Sequence, residues 1–529
     1  MPIPPPLPPD FLSRRTALRA AGTGALLLGA SGVLAGCRSA VSEDGKASGG
    51  PQRGGTLTIA ANQDFTPALL FTQSGLSLQN RLIYNTLTRY DDQLEPQPEL
   101  ATSWEYAADG KSVTLRLRDD VAYHDGRAFT ADDVIFAVRN LTKPERSAQL
   151  AATAKAVTGF DKRGDHELVL KLAHPVSNLF DLFEFMIIAD RHTVDEAVKG
   201  TKLNGTGPFR FTKWRPGTGL SLTRNEKYWV PRRPYLDAVE LRVYTQPDAL
   251  LSALRSGQAQ LSYNVPGRQL ATLKGDAGFT IKEYDTGSGA VYVGATVTEA
   301  PADNKAFRQA IAWAVDRDRV VTQALGGYGL ASAAPWPRSS PAYTEANRTH
   351  YRHDPAKARE LLKSSGVSTK QTLPLGHPTT PLHVAIAEIV QYDLKQVGIK
   401  TELQPFDPAS FQKKLISGTM PTLWINSHSF SQVHPATLAV SAYPFNEAHN
   451  TSHFSSTEYT EIVEEAWRSK DADGAAAKAL YQKVSDLLLD EAFIIDLAVQ
   501  DSVEVAAKKL HGPKLTKFSY LDLDNAYLD

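Results

Sequence analysis

Four histidines gather in one stretch, NSHSFSQVHPATLAVSAYPFNEAHNTSHF: His428, His434, His449 and His453. His449 and His453 have the i, i+4 spacing with which one helix face offers two imidazoles to a zinc ion. Asn450, Thr451 and Ser452 between them are poor helix formers. The group is therefore expected to be solvated or hydrogen-bonded rather than metal-bound. Asp132 and Asp133 are adjacent carboxylates of the kind used in acid–base chemistry. They follow Thr130 at the start of the run FTADDVIFAVRNL, where N-capping and the helix dipole give them a structural use. GTGPF (205–209) is Gly-rich, but it lacks a lysine and opens no helix. A turn where backbones pass closely is expected there, not a phosphate cradle. The chain has no Gly-x-Ser-x-Gly elbow, no His-Glu-x-x-His and no Gly-x4-Gly-Lys-Ser/Thr. No catalytic residue, metal or cofactor is assigned, and the expectation is a protein that is not an enzyme.

One reactive side chain remains: Cys37, the single cysteine in 529 residues. One cysteine excludes an internal disulfide framework and a Cys-rich zinc site. It closes a three-part segment. Arg14, Arg15 and Arg19 form a positive region, Ala20 to Val33 is weakly apolar and Gly-rich, and Leu34-Ala35-Gly36-Cys37 ends it with small residues. The apolar part is too short to span a bilayer. Residues 1–36 read as a signal peptide. Ser13 to Arg19 resembles the twin-arginine export motif but departs from it at Ala17, which leaves the Sec route open as well. Leu-Ala-Gly-Cys looks like the bacterial lipobox, whose Cys thiol is lipidated and becomes the new N-terminus. Residues 37–55 are small, polar and Gly-rich, and read as a flexible tether. No later run reaches about 18 consecutive apolar residues. The expected location is the extracytoplasmic face of a bacterial cell membrane, held there by lipid on Cys37.

The elements that must carry any site follow from length and pattern. A chain of 529 residues is too long for one core. Its composition is globular, with 42% hydrophobic and 22% charged residues. The net charge is −1; removing residues 1–36, with three Arg and one Asp (a net +2), leaves −3. Neither value offers a basic field for nucleic acid or anionic lipid. GTLTIAAN (55–62) reads as a strand, SWEYAADGKSVTLRLRDD as a hairpin turning at Asp109-Gly110, and HELVLKLAHP and AVELRVY as alternating strands. DNKAFRQAIAWAVDRDRVVTQALGG reads as one helix, capped near Asp303 and stopped at Gly326-Gly327, with Phe307, Ile311, Ala314, Val315 and Leu325 on one stripe. Residues 382–397, Lys400 to Pro405, Pro408 to Ile416 and Thr422 to Asn426 read as helix, strand, helix, strand. That is a βαβ unit, so the class is α/β with some parallel strands. Trp424 stands in the last of these strands, before the polar run Asn426-Ser427-His428-Ser429, as suits a cleft.

These stretches, in this order, resemble the extracytoplasmic solute-binding proteins of peptide-type ABC importers, the oligopeptide- and dipeptide-binding family 5. The resemblance runs from Gly54 to about Val505 and rests on NRLIYNTLTRYDDQLEPQPELATSWEYAADGKSVTLRLRDDVAYHDGRAFTADDVIFAV, GTGPFRFTKWRPGTGLSLTRNEKYW, FRQAIAWAVDRDRVV and AEIVQYDLKQVGIKTELQPFDPASFQKKLISG. It implies a two-lobed type II periplasmic-binding-protein-like fold with an α+β domain inserted in the first lobe. The ligand would bind between lobes that close by hinge motion. On this chain it implies lobe I in residues 56–80, 201–296 and 491–529, the inserted domain in 81–200, and lobe II in 297–490. The crossings would fall near Thr296 to Ala302 and near Glu491 to Leu497. By position, ligand contacts are expected from Asn62, Asp64 and Phe65, from Tyr263 and Asn264, and from Trp424, Asn426, Ser427 and His428. Trp424→Ala would then weaken binding without unfolding the chain.

The implied function is capture of an oligopeptide or similar small solute and its delivery to the permease subunits of an importer, by a monomer that binds no nucleic acid. The chain departs from the pattern in two places. Peptide-binding members carry an Asp after the Trp strand that pairs with the α-ammonium, followed by Asp-Pro. Here LWINSHSFSQVHPAT has no carboxylate, and His434-Pro435 stands in that place. Ala295 stands where an Asn is usual. A buried ammonium without a counter-charge is costly. So either another carboxylate supplies it, or the solute is an opine, a metal chelate or an oligosaccharide. An anchored hydrolase and a sensor without transport are the remaining alternatives.

Overall fold

The computed structural model describes residues 51–72, 79–263, 265–428 and 434–529, which form one compact unit from Pro51 onward. In chain order, β1 is Thr56–Ala61, and a small sheet follows from β2 (Ala101–Tyr106), β3 (Ser112–Leu117), β4 (Val157–Lys162) and β5 (Glu167–Leu172). Helix α1 (Ala131–Leu141) lies between β3 and β4 in the chain. Next come β6 (Phe209–Arg215), β7 (Gly219–Arg224), β8 (Ala238–Val243), β9 (Leu261–Ser262) and the long β10 (Phe279–Ala295). Helix α2 (Lys305–Ala314) precedes β11 (Thr372–Pro378), α3 (Pro381–Gln396), β12 (Lys400–Phe406), α4 (Pro408–Ser417), β13 (Leu423–His428) and a second long strand, β14 (Ile494–Ala507).

The large sheet runs in the order β12-β11-β13-β10-β14-β9-β1-β8-β7-β6. It has two parallel sets. At one end β11 pairs in parallel with β12 and with β13; at the other β1 pairs in parallel with β8 and with β9. The two long strands, antiparallel to each other, join these ends. The first part of β10, Phe279 to Tyr284, pairs only with β14; the part from Ala290 to Ala295 also pairs with β13. Between the two parts the register shifts, from Tyr284 opposite Ser502 to Gly289 opposite Gln500. The change of partner thus occurs at this irregularity.

The alternating patterns fold as expected. In β3, Val113, Leu115 and Leu117 are buried, and Gly110 makes the hairpin turn at φ +70°. In β5, Leu168, Leu170 and Leu172 face the same core. Helix α1 begins with a reciprocal cap: Asp133 N donates to Thr130 O at 3.0 Å, and Thr130 N donates to Asp133 Oδ2 at 3.0 Å. Asp133 also receives Arg127 and Arg191, each as close as 2.8 Å, while Asp132 pairs with Lys162 at 3.0 Å. The two carboxylates point to different partners and are not an acid–base pair. The GTGPF turn is a close crossing. A Cβ at Gly205 would stand 2.1 Å from Ile83 O, and Gly207 N donates to that oxygen at 2.9 Å.

Two expectations are corrected. The stretch 303–327 is not one helix. Asn304 caps α2, accepting from Phe307 N at 3.1 Å, and α2 ends before Val315. Asp316 then starts a new helical segment, accepting from Arg319 N at 3.0 Å, while its own N–H donates to Asp393 Oδ2 at 2.9 Å. Arg317 turns inward and donates to the carbonyls of Ala312 at 2.8 Å and Asp496 at 2.9 Å. An Asp cap and a buried guanidinium override the helical period, although Phe307, Ile311, Ala314, Val315 and Leu325 are all buried as the stripe requires. In the βαβ unit, β12 and β13 do not pair. Strand β11 lies between them, and its sequence TLPLGHP carries two prolines and a glycine that hide it from pattern reading. Among the described residues no helix is long and apolar enough to cross a membrane.

Candidate functional site: a cavity at the ends of two parallel strand sets

A cavity of about 710 Å³ lies at the carboxyl ends of both parallel sets. Asn62 to Phe65 follow β1, Tyr263 follows β9, and Asn426 to His428 end β13; all line it. Gly289 of β10 and Gln500 to Val503 of β14 form the wall between them. Ends of parallel strands leave a crevice for ligands because the chain turns away to either side into helices. Leu270, Leu382, Phe411 and Leu415 supply apolar surface beside these polar groups, the usual mix of a small-molecule site.

The expected site residues separate into three groups. Asn62, Asp64, Phe65, Tyr263, Asn426, Ser427 and His428 are all on the cavity wall. Asp64 is committed there: it accepts from Phe65 N at 2.8 Å, Gly217 N at 2.7 Å and Trp214 Nε1 at 3.2 Å. Phe65 meets the same Trp214 edge to face at 6.0 Å between ring centroids. Tyr263 Oη donates to Glu504 Oε2 at 2.9 Å, and burial with that carboxylate holds its phenol protonated. Asn426 Nδ2 donates to Tyr292 Oη at 3.3 Å.

Trp424 is not on the wall, which corrects the expectation for it. Its ring is 0% exposed and lies against the backbone of Gly294, where a Cβ would stand 2.1 Å from Cε2. Leu423, Trp424 and Ile425 are all buried because β13 is covered on both faces; the strand emerges into the cavity only at Asn426. Asn264 and Cys37 lie outside the described residues.

The histidines divide similarly. His453 sits in a loop at φ +60°, its Nε2 2.7 Å from Gly418 O, so the 449/453 pair does not share a helix face. His434 packs edge to face on Tyr481 at 5.7 Å. Among the described residues no cluster of three or more His, Cys, Asp or Glu could hold a metal ion.

Sequence reasoning missed His383 and Asp501, both on the wall. His383 bridges Thr380 Oγ1 at 2.6 Å and Ser427 Oγ at 3.1 Å. Burial, and after it the nearby His377, depress its pKa to about 4, so the ring is neutral. This Ser–His contact lacks a carboxylate on the far nitrogen, and so weak a base does not activate a hydroxyl at neutral pH. Asp501 is the other way round: burial pushes its carboxyl up to about 6. Its signal was present in the sequence as Gln500-Asp501-Ser502, a polar break inside the apolar run of β14.

Comparison with known proteins fits this geometry. The family model for bacterial extracellular solute-binding proteins, family 5 Middle, matches residues 95–446. A dipeptide-binding protein of Pseudomonas aeruginosa is 25% identical over 490 residues, covering 86% of this chain and 91% of its own. Two solved structures share the fold. AgaA of A. tumefaciens R10, in complex with agropinic acid, has a TM-score of 0.79 at 20% identity, over 90% of this chain and 99% of that one. DppA of Helicobacter pylori, in complex with the peptide STSA, has a TM-score of 0.79 at 22% identity, over 90% and 98%. The fold is thus the two-lobed type II periplasmic-binding architecture with an inserted α+β domain. With the family model covering most of its length, the chain belongs to the bacterial extracellular solute-binding proteins of family 5.

Proposed function

We propose that this protein is the lipid-anchored receptor of an ABC importer and takes an oligopeptide or a similar small solute. Family membership makes it a solute-binding protein rather than an enzyme. The observation that carries the finer reading is the wall itself: contacts from the ends of β1 and β9 face contacts from the end of β13 across two long shared strands. A ligand touched from both sides stabilises the closed form over the open one, which is what a permease must sense. Residues 56–80, 201–296 and 491–529 make lobe I, 297–490 make lobe II, and 81–200 the inserted domain. Lipid on Cys37 and the tether 37–55 keep a monomeric body beside the permease.

The test is a thermal-shift and calorimetric screen of the full chain with di- and tripeptides, agropinic acid, oligosaccharides and metal chelates. A solute at 100 times its dissociation constant stabilises by about 2.7 kcal/mol. Absence of a shift across all these classes would remove the receptor reading. For the anchor, Cys37→Ser is expected to move the protein from the membrane fraction to the soluble one, with solute affinity unchanged. Retention at the membrane in the Ser variant would refute lipidation at this site. Several acyl chains are needed for firm anchoring, since one holds only marginally.

A further inference from the structure

Among the described residues the cavity wall carries two carboxylates, Asp64 and Asp501. Asp64 has its oxygens occupied by Phe65 N, Trp214 Nε1 and Gly217 N. Asp501 is different. It is 8% exposed, and its one hydrogen bond among the described residues is from Gly287 N to Oδ1 at 3.2 Å. No Lys, Arg or His lies within ion-pair distance of it among those residues.

The surroundings hold this carboxylate in place without neutralising it. Gly287 belongs to the irregular part of β10, at φ +54°, and a Cβ there would stand 2.2 Å from Pro337. Beside Asp501, Ser502 N donates to Thr286 Oγ1 at 3.2 Å, and Ser502 Oγ meets Ser519 Oγ at 2.8 Å. The charged groups acting on it are Asp285 and Glu283 of β10, which oppose its ionisation, and the exposed Arg338, which favours it. Lys517 is directed elsewhere, to the carbonyl of Asp285 at 3.0 Å. A buried carboxylate that lacks a cation is costly to keep. A ligand that brings a positive charge to the wall would offset that cost.

We infer that Asp501, on the long strand β14, is the residue that selects for an ammonium group on the solute. This rests on the receptor reading and deepens it: the counter-charge missing after Trp424 comes instead from the shared strand that joins the two ends of the sheet. The ammonium could be a peptide α-amine or a side-chain amine.

The test uses Asp501→Asn in the full chain, a near-isosteric change. The probes are a di- and tripeptide library, the same peptides N-acetylated, and acetylated peptides containing lysine. Wild type is expected to bind a free-amine probe at least tenfold more tightly than its acetylated form. That affinity should fall about tenfold between pH 7 and pH 5, because protonation of Asp501 competes with the cation. The Asn variant should lose at least tenfold for the amine probe, change little for uncharged ones, and lose the pH dependence. If acetylated peptides alone lose binding, the site reads an α-amine; if acetylated lysine peptides retain it, a side-chain amine.

Apo melting gives a readout that needs no ligand. A carboxyl with a raised folded-state pKa destabilises once pH exceeds the unfolded value, increasingly up to the folded one, so the Asn variant should melt higher than wild type at pH 7 and lose that gain towards pH 4. A lower apo melting temperature at pH 7 would make Asp501 a structural partner and overturn the inference. Equal binding of amine probes by wild type and variant would overturn it while leaving the receptor reading intact. Failure of wild type with every solute class in the earlier screen would instead remove the receptor reading.

Discussion

Trp424→Ala is expected to lower the free energy of unfolding by about 3–5 kcal/mol, the range for deleting a large buried aromatic ring. The ring is fully buried and lies over Gly294, where no side chain is present to move into the space it would leave. Tyr292, also fully buried, belongs to the same core. Urea titration followed by tryptophan-independent circular dichroism measures the effect. Solute binding should fall only as the folded fraction falls. An unchanged midpoint with weakened binding would restore Trp424 to the cavity wall and contradict the burial described above.

The second large effect is expected at Glu99. This carboxylate is buried among five donors: Arg89 Nη2 at 3.0 Å, Arg81 Nη1 at 3.3 Å, Asn85 Nδ2 at 3.0 Å, Thr86 N at 3.0 Å and Thr86 Oγ1 at 2.6 Å. Burial opposes its ionisation, but Arg89 and Arg81 outweigh it and hold the carboxyl at about 2. Glu184 shares Arg81 at 2.5 Å yet is pushed up to about 7, by burial and by the charge on Glu99. One guanidinium thus serves two carboxylates, and Glu99 takes the charge. Through Asn85, whose Oδ1 accepts from Thr206 Oγ1 at 3.0 Å and Trp229 Nε1 at 3.1 Å, the cluster ties residues 81–99 to the returning chain near the GTGPF turn.

Glu99→Gln leaves Arg81 and Arg89 short of a buried counter-charge. The expected loss is about 3–5 kcal/mol, towards the lower end because Glu184 ionises more readily once Glu99 is neutral. The pH dependence has a definite sign. The folded carboxyl is held below its unfolded value, so its stabilisation is complete above about 4.5 and disappears as pH falls towards 2. The variant should lack that part of the acid transition. Identical acid-unfolding curves for wild type and variant would show that Glu99 contributes nothing to it.

Legibility followed the physics of each element. Strands with one face largely open, such as β3, alternate in the sequence and are read directly. Helix α1 announced itself through Thr130 and the carboxylate three residues on. The sharp Gly205 turn was legible because closely passing backbones demand residues without a Cβ. Strand β11 was not, since TLPLGHP offers no period. The break at Asp316 was not either, because it depends on Asp393, 77 residues from Asp316, and on Asp496, 179 residues from Arg317.

By itself, the sequence determined the α/β class, the family, the absence of catalytic motifs and the approximate place of the cavity residues after β1 and β13. These follow from local period, turn chemistry and motif order, all of which act within a few residues. Tertiary structure alone decided which face Trp424 takes. In a strand covered on both sides, Leu423, Trp424 and Ile425 are equally apolar, so periodicity carries no direction. It also decided where the wall carboxylate Asp501 sits. Asp501 reaches the wall because β10 and β14 slip register between Tyr284 and Gly289, a pairing between segments more than two hundred residues apart that no local pattern encodes.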